Sequence, residues 1–250
     1  MIYCIIRHRS LIFVREENMD TSILIHVSIG ALLLLVFILL KSLNTDSSGN
    51  DGSSTRDDGK SHFVLSVDFS SVPERFVVFD LETTGLDPLR HEIIEIGAIR
   101  YTRGSEKHDT LQMLVKPKKR IPKRITQING ISQDMVDQEG EPLQQALTGF
   151  VEFIGELPLV TFNAEFDMGF LLNAATQHNI VIKNKASCAL KMARKAWPGL
   201  KSYRLSDLAK GANLSDEGTH RALGDSLRAL QIYIYAASSL TGNNTGQHFG

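Results

Sequence analysis

Residues 76–85 read Phe-Val-Val-Phe-Asp-Leu-Glu-Thr-Thr-Gly, and no other segment limits the fold of this chain so strongly. The apolar, β-branched and aromatic run at 76–79 predicts a buried strand. Alternation then sends Val78, Asp80 and Glu82 to one face and Val77, Phe79 and Leu81 to the other. Two carboxylates leaving one face at the end of a buried strand repel each other. Taking them out of water is costly unless a cation compensates. Thr83-Thr84-Gly85 breaks the strand, and Leu86-Asp87-Pro88 has turn chemistry. A solvated carboxylate pair at a strand end is the plain alternative, and the buried context argues against it.

A second segment repeats this pattern. Pro158–Phe162 is a strand candidate, Asn163 is placed to cap, and 164–178 has helical periodicity through Phe166, Phe170, Leu171 and Ala174. Asp167 falls on the first turn of that helix. By itself it reads as a favourable partner of the helix dipole. In the third segment, His220-Arg-Ala-Leu-Gly-Asp225, the histidine and aspartate are five residues apart. That is about 140° of helical rotation, so the two do not share a helix face. His220 is expected in the loop or first turn, with Asp225 about a turn further in. A lone histidine ahead of a helix is ordinarily a solvated surface residue; the carboxylates in the other segments change its reading.

In order and spacing, Asp80, Glu82, Asp167, His220 and Asp225 resemble the signature of the DEDDh 3′–5′ exonucleases, the superfamily of the DNA polymerase III epsilon proofreading subunit. The resemblance runs over residues 73–240. Ile125-Thr-Gln-Ile-Asn-Gly-Ile131 looks like the stretch before the family's first long helix, where His-Gly-Ile is commoner, so Asn129 is a departure. Residues 190–208 are similar to the connecting helices of the epsilon-like subgroup. Histidine with four residues before Asp225 separates the chain from tyrosine-type relatives.

The resemblance implies an α/β, ribonuclease-H-like fold. A coarse reading agrees, with strands at 75–81, 92–101, 109–115 and 158–162. Helices fit near 141–155, 164–178, 187–196, 203–210 and 220–239. Three strands followed by alternating helix and strand suggest a mixed sheet flanked by helices. The family likeness also implies two divalent ions, Mg²⁺ or Mn²⁺, which favour carboxylate oxygen and serve in-line phosphodiester displacement. On that analogy Asp80 bridges both metals, Glu82 and Asp225 complete the first site, and Asp167 supports the second. His220 becomes the candidate general base. Thr83, Thr84 and Phe166 resemble positions that hold the terminal nucleotide, with turn and core roles as the alternative.

A net charge of −1 excludes a generic polyanion binder. Basic residues are nonetheless clustered, as Lys116, Lys118, Lys119, Arg120, Lys123 and Arg124, and again as Lys191, Arg194, Lys195, Lys201 and Arg204. Either group could meet the phosphates of a single-stranded 3′ end of DNA or RNA, and solvated loop charge is the alternative.

Ahead of this region, residues 1–22 read as an N-terminal tail. Ile23–Leu40 is apolar except for His26, Ser28 and Gly30. As a helix it is about 27 Å long, near the hydrocarbon thickness of a bilayer. A cleaved signal peptide is the rival, but Leu40-Lys41-Ser42-Leu43-Asn44 offers no small-residue cleavage site. The expectation is a single-pass anchor in the cell membrane. Positive charges are nearly balanced around it, and translation from Met19 would leave Lys41 as the nearest positive flank, placing the catalytic domain in the cytoplasm. Residues 41–72 are expected to be a flexible linker rich in Ser, Gly and Asp, and 241–250 a disordered tail. Cys4 and Cys188 make no disulfide framework.

The sequence therefore points to a membrane-anchored 3′–5′ exonuclease with DNA favoured. A 3′–5′ exoribonuclease or a non-catalytic nucleic-acid-binding module on the same fold are the alternatives. Loss of a metal carboxylate would favour the last, and none is lost. No polymerase is recognisable in the chain, and a polymerase or other protein partner is left open.

Overall fold

In the computed structural model, residues 2–7, 10–15, 72–215, 218 and 220–241 are described. The first two stretches are a two-stranded ribbon, β1 (Ile2–Arg7) and β2 (Ser10–Arg15), where the sequence suggested only a tail. The expected membrane helix at 23–40 lies outside the described residues, as does nearly all of the linker. No helix among the described residues is long and apolar enough to cross a membrane. Val72, the last residue of the expected linker, is instead buried in the core.

The strand at the carboxylate motif, β3 (Arg75–Thr83), lies inside a six-stranded mixed sheet. It pairs antiparallel with β4 (Ile93–Thr102), which pairs antiparallel with β5 (Asp109–Lys116). On its other side β3 runs parallel to β7 (Leu159–Thr161), and β7 parallel to β8 (Ala186–Cys188). The two-residue β6 (Glu141–Pro142) extends β5, giving the order β6-β5-β4-β3-β7-β8. The predicted strands end within two residues of those observed. Neither β6 nor β8 was foreseen: two residues carry no readable period, and Ala186-Ser187-Cys188 lacks the apolar, β-branched run that marked β7.

The helices are α1 (Lys123–Asn129), α2 (Gln133–Gln138), α3 (Leu143–Ile154), α4 (Ala164–Gln177), α5 (Ala189–Ala196), α6 (Leu205–Gly211) and α7 (Ala222–Leu240). The last five match expectation, and α1 and α2 were not predicted. Each of those two is about two turns or less, too short for a periodic pattern. A left-handed Gly130 (φ 72°) ends α1, and Ser132 Oγ accepts from Met135 N to start α2. Asn163 precedes α4 as expected, but its side chain makes no capping bond.

The alternation of β3 divides the core. Val77, Phe79 and Leu81 pack with Leu147 and Phe150 of α3 and Phe170 and Leu171 of α4. Phe76 and Val78 face the opposite side and pack with Leu230, Tyr233 and Ile234 of α7. Full burial of each such side chain contributes about 1.5–3 kcal/mol before conformational entropy is counted. Asp80 and Glu82 follow Val78 on its face, so they emerge where α7 begins.

Gly97 permits that approach. It sits opposite Asp80 in the β3–β4 register, and a Cβ there would lie 2.2 Å from Leu223 N and 2.3 Å from the Ala222 carbonyl carbon. Ser226 Oγ then donates to Gly97 O at 3.0 Å and fixes the contact.

Candidate active site

The strand, the start of α7 and the start of α4 converge on one acidic centre. Ligand oxygens of Asp80, Glu82 and Asp225 lie within 4.8 Å of one another, and each residue keeps some solvent exposure. Asp167, only 2% exposed, reaches β3 from α4 and accepts a backbone hydrogen bond from Leu81. The four carboxylates predicted from sequence are therefore brought together, three as one donor group and Asp167 against its floor.

Their titration reflects the crowding. Burial, and then the neighbouring charges of Asp167, Asp225, Glu82 and Glu95, raise the Asp80 pKa well above the carboxylate range. Burial pushes Glu82 to about 8, opposed by a hydrogen bond from Asn129 and reinforced by Asp225 and Glu95. Burial likewise pushes Asp167 to about 7, against bonds from Thr161 and the backbone. The charges that shift Asp80 are all carboxylates, so the chain sets no cation of its own against that residue, although Arg221 acts weakly on Glu82. All-oxygen donors at this spacing fit a hard divalent cation.

Three of the carboxylates have dedicated supports that the sequence reading missed. Asn129, 4% exposed at the end of α1, donates from Nδ2 to Glu82 Oε2 at 3.1 Å while its Oδ1 accepts from Ile131 N. Thus the one departure from the family pattern touches a predicted metal ligand. Thr161 Oγ1 at the end of β7 donates to Asp167 Oδ2 at 2.5 Å. Arg228, one turn beyond Asp225 and 4% exposed, donates to Asp225 Oδ1 from Nη2 at 2.6 Å and Nε at 3.1 Å. That leaves Asp225 Oδ2 for a cation. Arg228 also donates to the carbonyls of Ser215 and Gly218, tying the chain just before His220 to the same aspartate. Position on a buried helix face could have flagged Arg228; nothing local marks Thr161 or Asn129.

Beside this group stands a second buried acid. Glu95 on β4, fully buried, accepts from Arg221 Nη2 at 2.5 Å, from Ala222 N at 2.9 Å and from Gln112 Nε2 at 2.9 Å. It pins the first residue of α7 and so sets the register that brings Asp225 to the site.

His220 is placed differently from the carboxylates. It lies in the loop, two residues ahead of α7, exposed and left-handed (φ 60°), outside the three-carboxylate group. The predicted substrate residues show local roles. Thr83 Oγ1 donates to Gly85 O, Thr84 Oγ1 accepts from Glu92 N, and Phe166 packs on Phe170. Gly85 is required there, since a Cβ would lie 2.3 Å from the His91 ring.

The exonuclease family model RNase T matches residues 77–233. A DNA polymerase III subunit epsilon of Aquifex aeolicus is 37% identical over 163 residues, covering 64% of this chain and 78% of that protein. A PolC-type DNA polymerase III of Clostridium perfringens is 36% identical over 180 residues, 72% of this chain, but the match spans only 12% of that relative. Among solved structures, Escherichia coli Exonuclease I with a dA16 oligonucleotide shares the fold at 17% identity and a TM-score of 0.58. That likeness covers 68% of this chain and 42% of that one. Fold, carboxylate constellation and matched span agree: the chain belongs to the RNase T exonuclease family, in the DEDDh group of metal-dependent 3′–5′ exonucleases.

Proposed function

We propose that this protein is a membrane-anchored exonuclease that removes nucleoside monophosphates from the 3′ ends of DNA. One observation carries the reading: four acids meet at the end of β3, and the groups acting on Asp80 add only negative charge. Such a centre is poised for cations and phosphate rather than for fold stability. DNA is favoured because the relatives are named as DNA polymerase III components. A polymerase partner rests on those names alone.

Two divalent cations, Mg²⁺ or Mn²⁺, would supply water activation and charge neutralisation at the departing 3′-oxygen. Asp80, Glu82 and Asp225 would hold them, with Asp167 supporting the second. Asn129, Thr161 and Arg228 orient those carboxylates. His220 is the proposed proton acceptor, approaching from the loop on the solvent side. Thr83, Thr84 and Phe166 line the proposed seat of the terminal nucleotide. The apolar segment 23–40 supports an anchor that keeps the catalytic domain on the cytoplasmic side of the cell membrane.

The test is the purified chain in detergent with Mg²⁺, on end-labelled DNA and RNA of both polarities. Mononucleotides should leave a free 3′-hydroxyl of DNA, and a 3′-phosphate should block them. Release from the 5′ end, or cutting of closed circles, would sink the exonuclease reading. Preference for RNA would mean an exoribonuclease, and metal binding without hydrolysis a binding module. In the same preparation, the full chain should stay with membranes through high salt and carbonate, whereas a chain starting at Ser61 should not. Release by salt would point to charge-based attachment through residues 116–124.

A further inference from the structure

The basic run between β5 and α1 is built into the rim of the site. Glu92, at the foot of β4, is bonded twice to Thr84: Thr84 N donates to Glu92 O, and Glu92 N to the Thr84 side-chain Oγ1, both at 2.9 Å. The carboxylate of the same residue accepts from Lys118 N at 3.1 Å and Lys119 N at 3.0 Å. Ile121 then anchors the run in a small core with Ile94, Ile131 and Val136. At its far end Asn129 reaches Glu82. The segment is therefore tied to the active-site strand at both ends, and α1 between them is only about 10 Å long.

Lys118, Lys119, Arg120, Lys123 and Arg124 project from this strap, all exposed and none in an ion pair among the described residues. Lys116, by contrast, lies 3.6 Å from Asp137. In the second basic group, Arg194 lies over the Tyr203 ring. Five unpartnered cations on a fixed backbone beside an acidic centre are not needed for the fold, and they offset the field that would repel a polyanion.

We propose that residues 118–124 are a phosphate track, binding the backbone of the single strand that feeds its 3′ end to the Asp80 centre. This rests on the exonuclease reading and adds where the strand runs. Single-strand binding releases about 0.7 counterions per neutralised phosphate, so each cation leaves a measurable salt dependence.

The experiment uses the full chain in detergent and the variant Lys118→Gln/Lys119→Gln/Arg120→Gln. Binding of a fluorescent oligothymidylate is followed in EDTA across a salt series, and hydrolysis of the p-nitrophenyl ester of thymidine monophosphate in Mg²⁺. Strand affinity should fall at least tenfold at low salt. The slope of log K against log salt should become shallower by about two units for three lost charges. Ester hydrolysis, which needs no track, should not change. Unaltered affinity and slope would overturn the proposal. So would an equal loss on the ester, or an equal effect from Lys191→Gln/Lys195→Gln/Lys201→Gln. A wild type inert on both ester and strand would defeat the exonuclease reading, while the EDTA binding comparison would still decide the track.

Discussion

Asp80 is partly and Glu95 wholly removed from bulk water, two strand positions apart across the β3–β4 ladder, and the chain treats them in opposite ways. Around Glu95 it provides a guanidinium, a backbone amide and a side-chain amide, so the charge is satisfied within the fold. Around Asp80 it provides Glu82, Asp167 and Asp225, so the charge is aggravated. Low dielectric magnifies both arrangements. A buried acid with its own cation is a structural joint, here locking α7 to β4. A buried acid among acids must either hold its proton or meet a cation from outside, and that makes it a candidate for chemistry. The two also depend on each other, because the Glu95 joint fixes the helix that delivers Asp225.

Exchanging each acid for its amide should pull activity and stability in opposite directions. Asp80→Asn should reduce hydrolysis to background and raise the metal-free melting temperature, since one repelling charge is gone. Glu95→Gln should lower the melting temperature. Hydrogen bonds to a charged group contribute about 1.5–3 kcal/mol, and the half-buried Arg221 can take water in place of its lost carboxylate, so the loss of stability should be of that order. Calorimetry without metal, beside a 3′-end-labelled DNA assay, reads both. Full activity of Asp80→Asn, or a Glu95→Gln protein as stable as wild type, would break the contrast.

His220 borders the Glu95 joint, since Arg221 follows it directly, yet its own ring is exposed. If it takes a proton during hydrolysis, His220→Ala should cut turnover about 10²–10⁴-fold with metal affinity little changed, because no ligand is lost. The rate should rise with pH in the wild type, and that limb should vanish in the variant. Water activated by a cation also titrates near neutrality, so only the comparison of the two profiles is informative. A limb that persists in His220→Ala would assign it elsewhere and reduce His220 to a positioning residue.

How much of this was legible in the sequence follows from where the determinants lie. The faces of β3 could be read because strand alternation is local: Val77 and Phe79 did go one way, Asp80 and Glu82 the other. Helices α3, α4 and α7 could be read because each is long enough to show a period, and α5 and α6 fall within or beside the 190–208 stretch that resembles the family's connecting helices. Glu95 could not. Within Ile93-Ile-Glu-Ile-Gly97 it reads as an isolated polar residue in a strand, and its partners lie 126 and 127 residues away. Asn129 escaped for the same reason, since Glu82 lies 47 residues from it. Thr161 and Arg228 touch acids only six and three residues away, but a strand-end hydroxyl and a helical arginine have commoner roles that no local pattern separates from these. Thr83 and Thr84 were open to two readings because a turn and a nucleotide seat use the same hydroxyls.

The smallest expected effect is on stability against pH, and it tests whether the Asp80 centre is strained without metal. Glu82 titrates at about 8 and Asp167 at about 7 in the folded chain, both raised by burial, and Asp80 is raised as well. A carboxyl with a raised folded pKa binds its proton more tightly folded than unfolded. Its contribution is therefore complete below the unfolded value near 4 and is lost as pH climbs through the folded value. His108 works the other way. Burial lowers its pKa, so it favours the fold once neutral, and its gain is complete above about 6.5. The two trends overlap in acid, but as pH rises from 6.5 to 8 the further His108 gain dies away and, among the described residues, the carboxylates set the slope. Over that window the metal-free melting temperature should fall as pH rises, and less steeply in Glu82→Gln. Saturating Mg²⁺ should reverse the slope, because a cation binds the ionised acids and its hold strengthens with pH. A flat or rising metal-free curve, or one unchanged in Glu82→Gln, would mean that the acids ionise without strain and that the contrast with Glu95 is one of contacts alone.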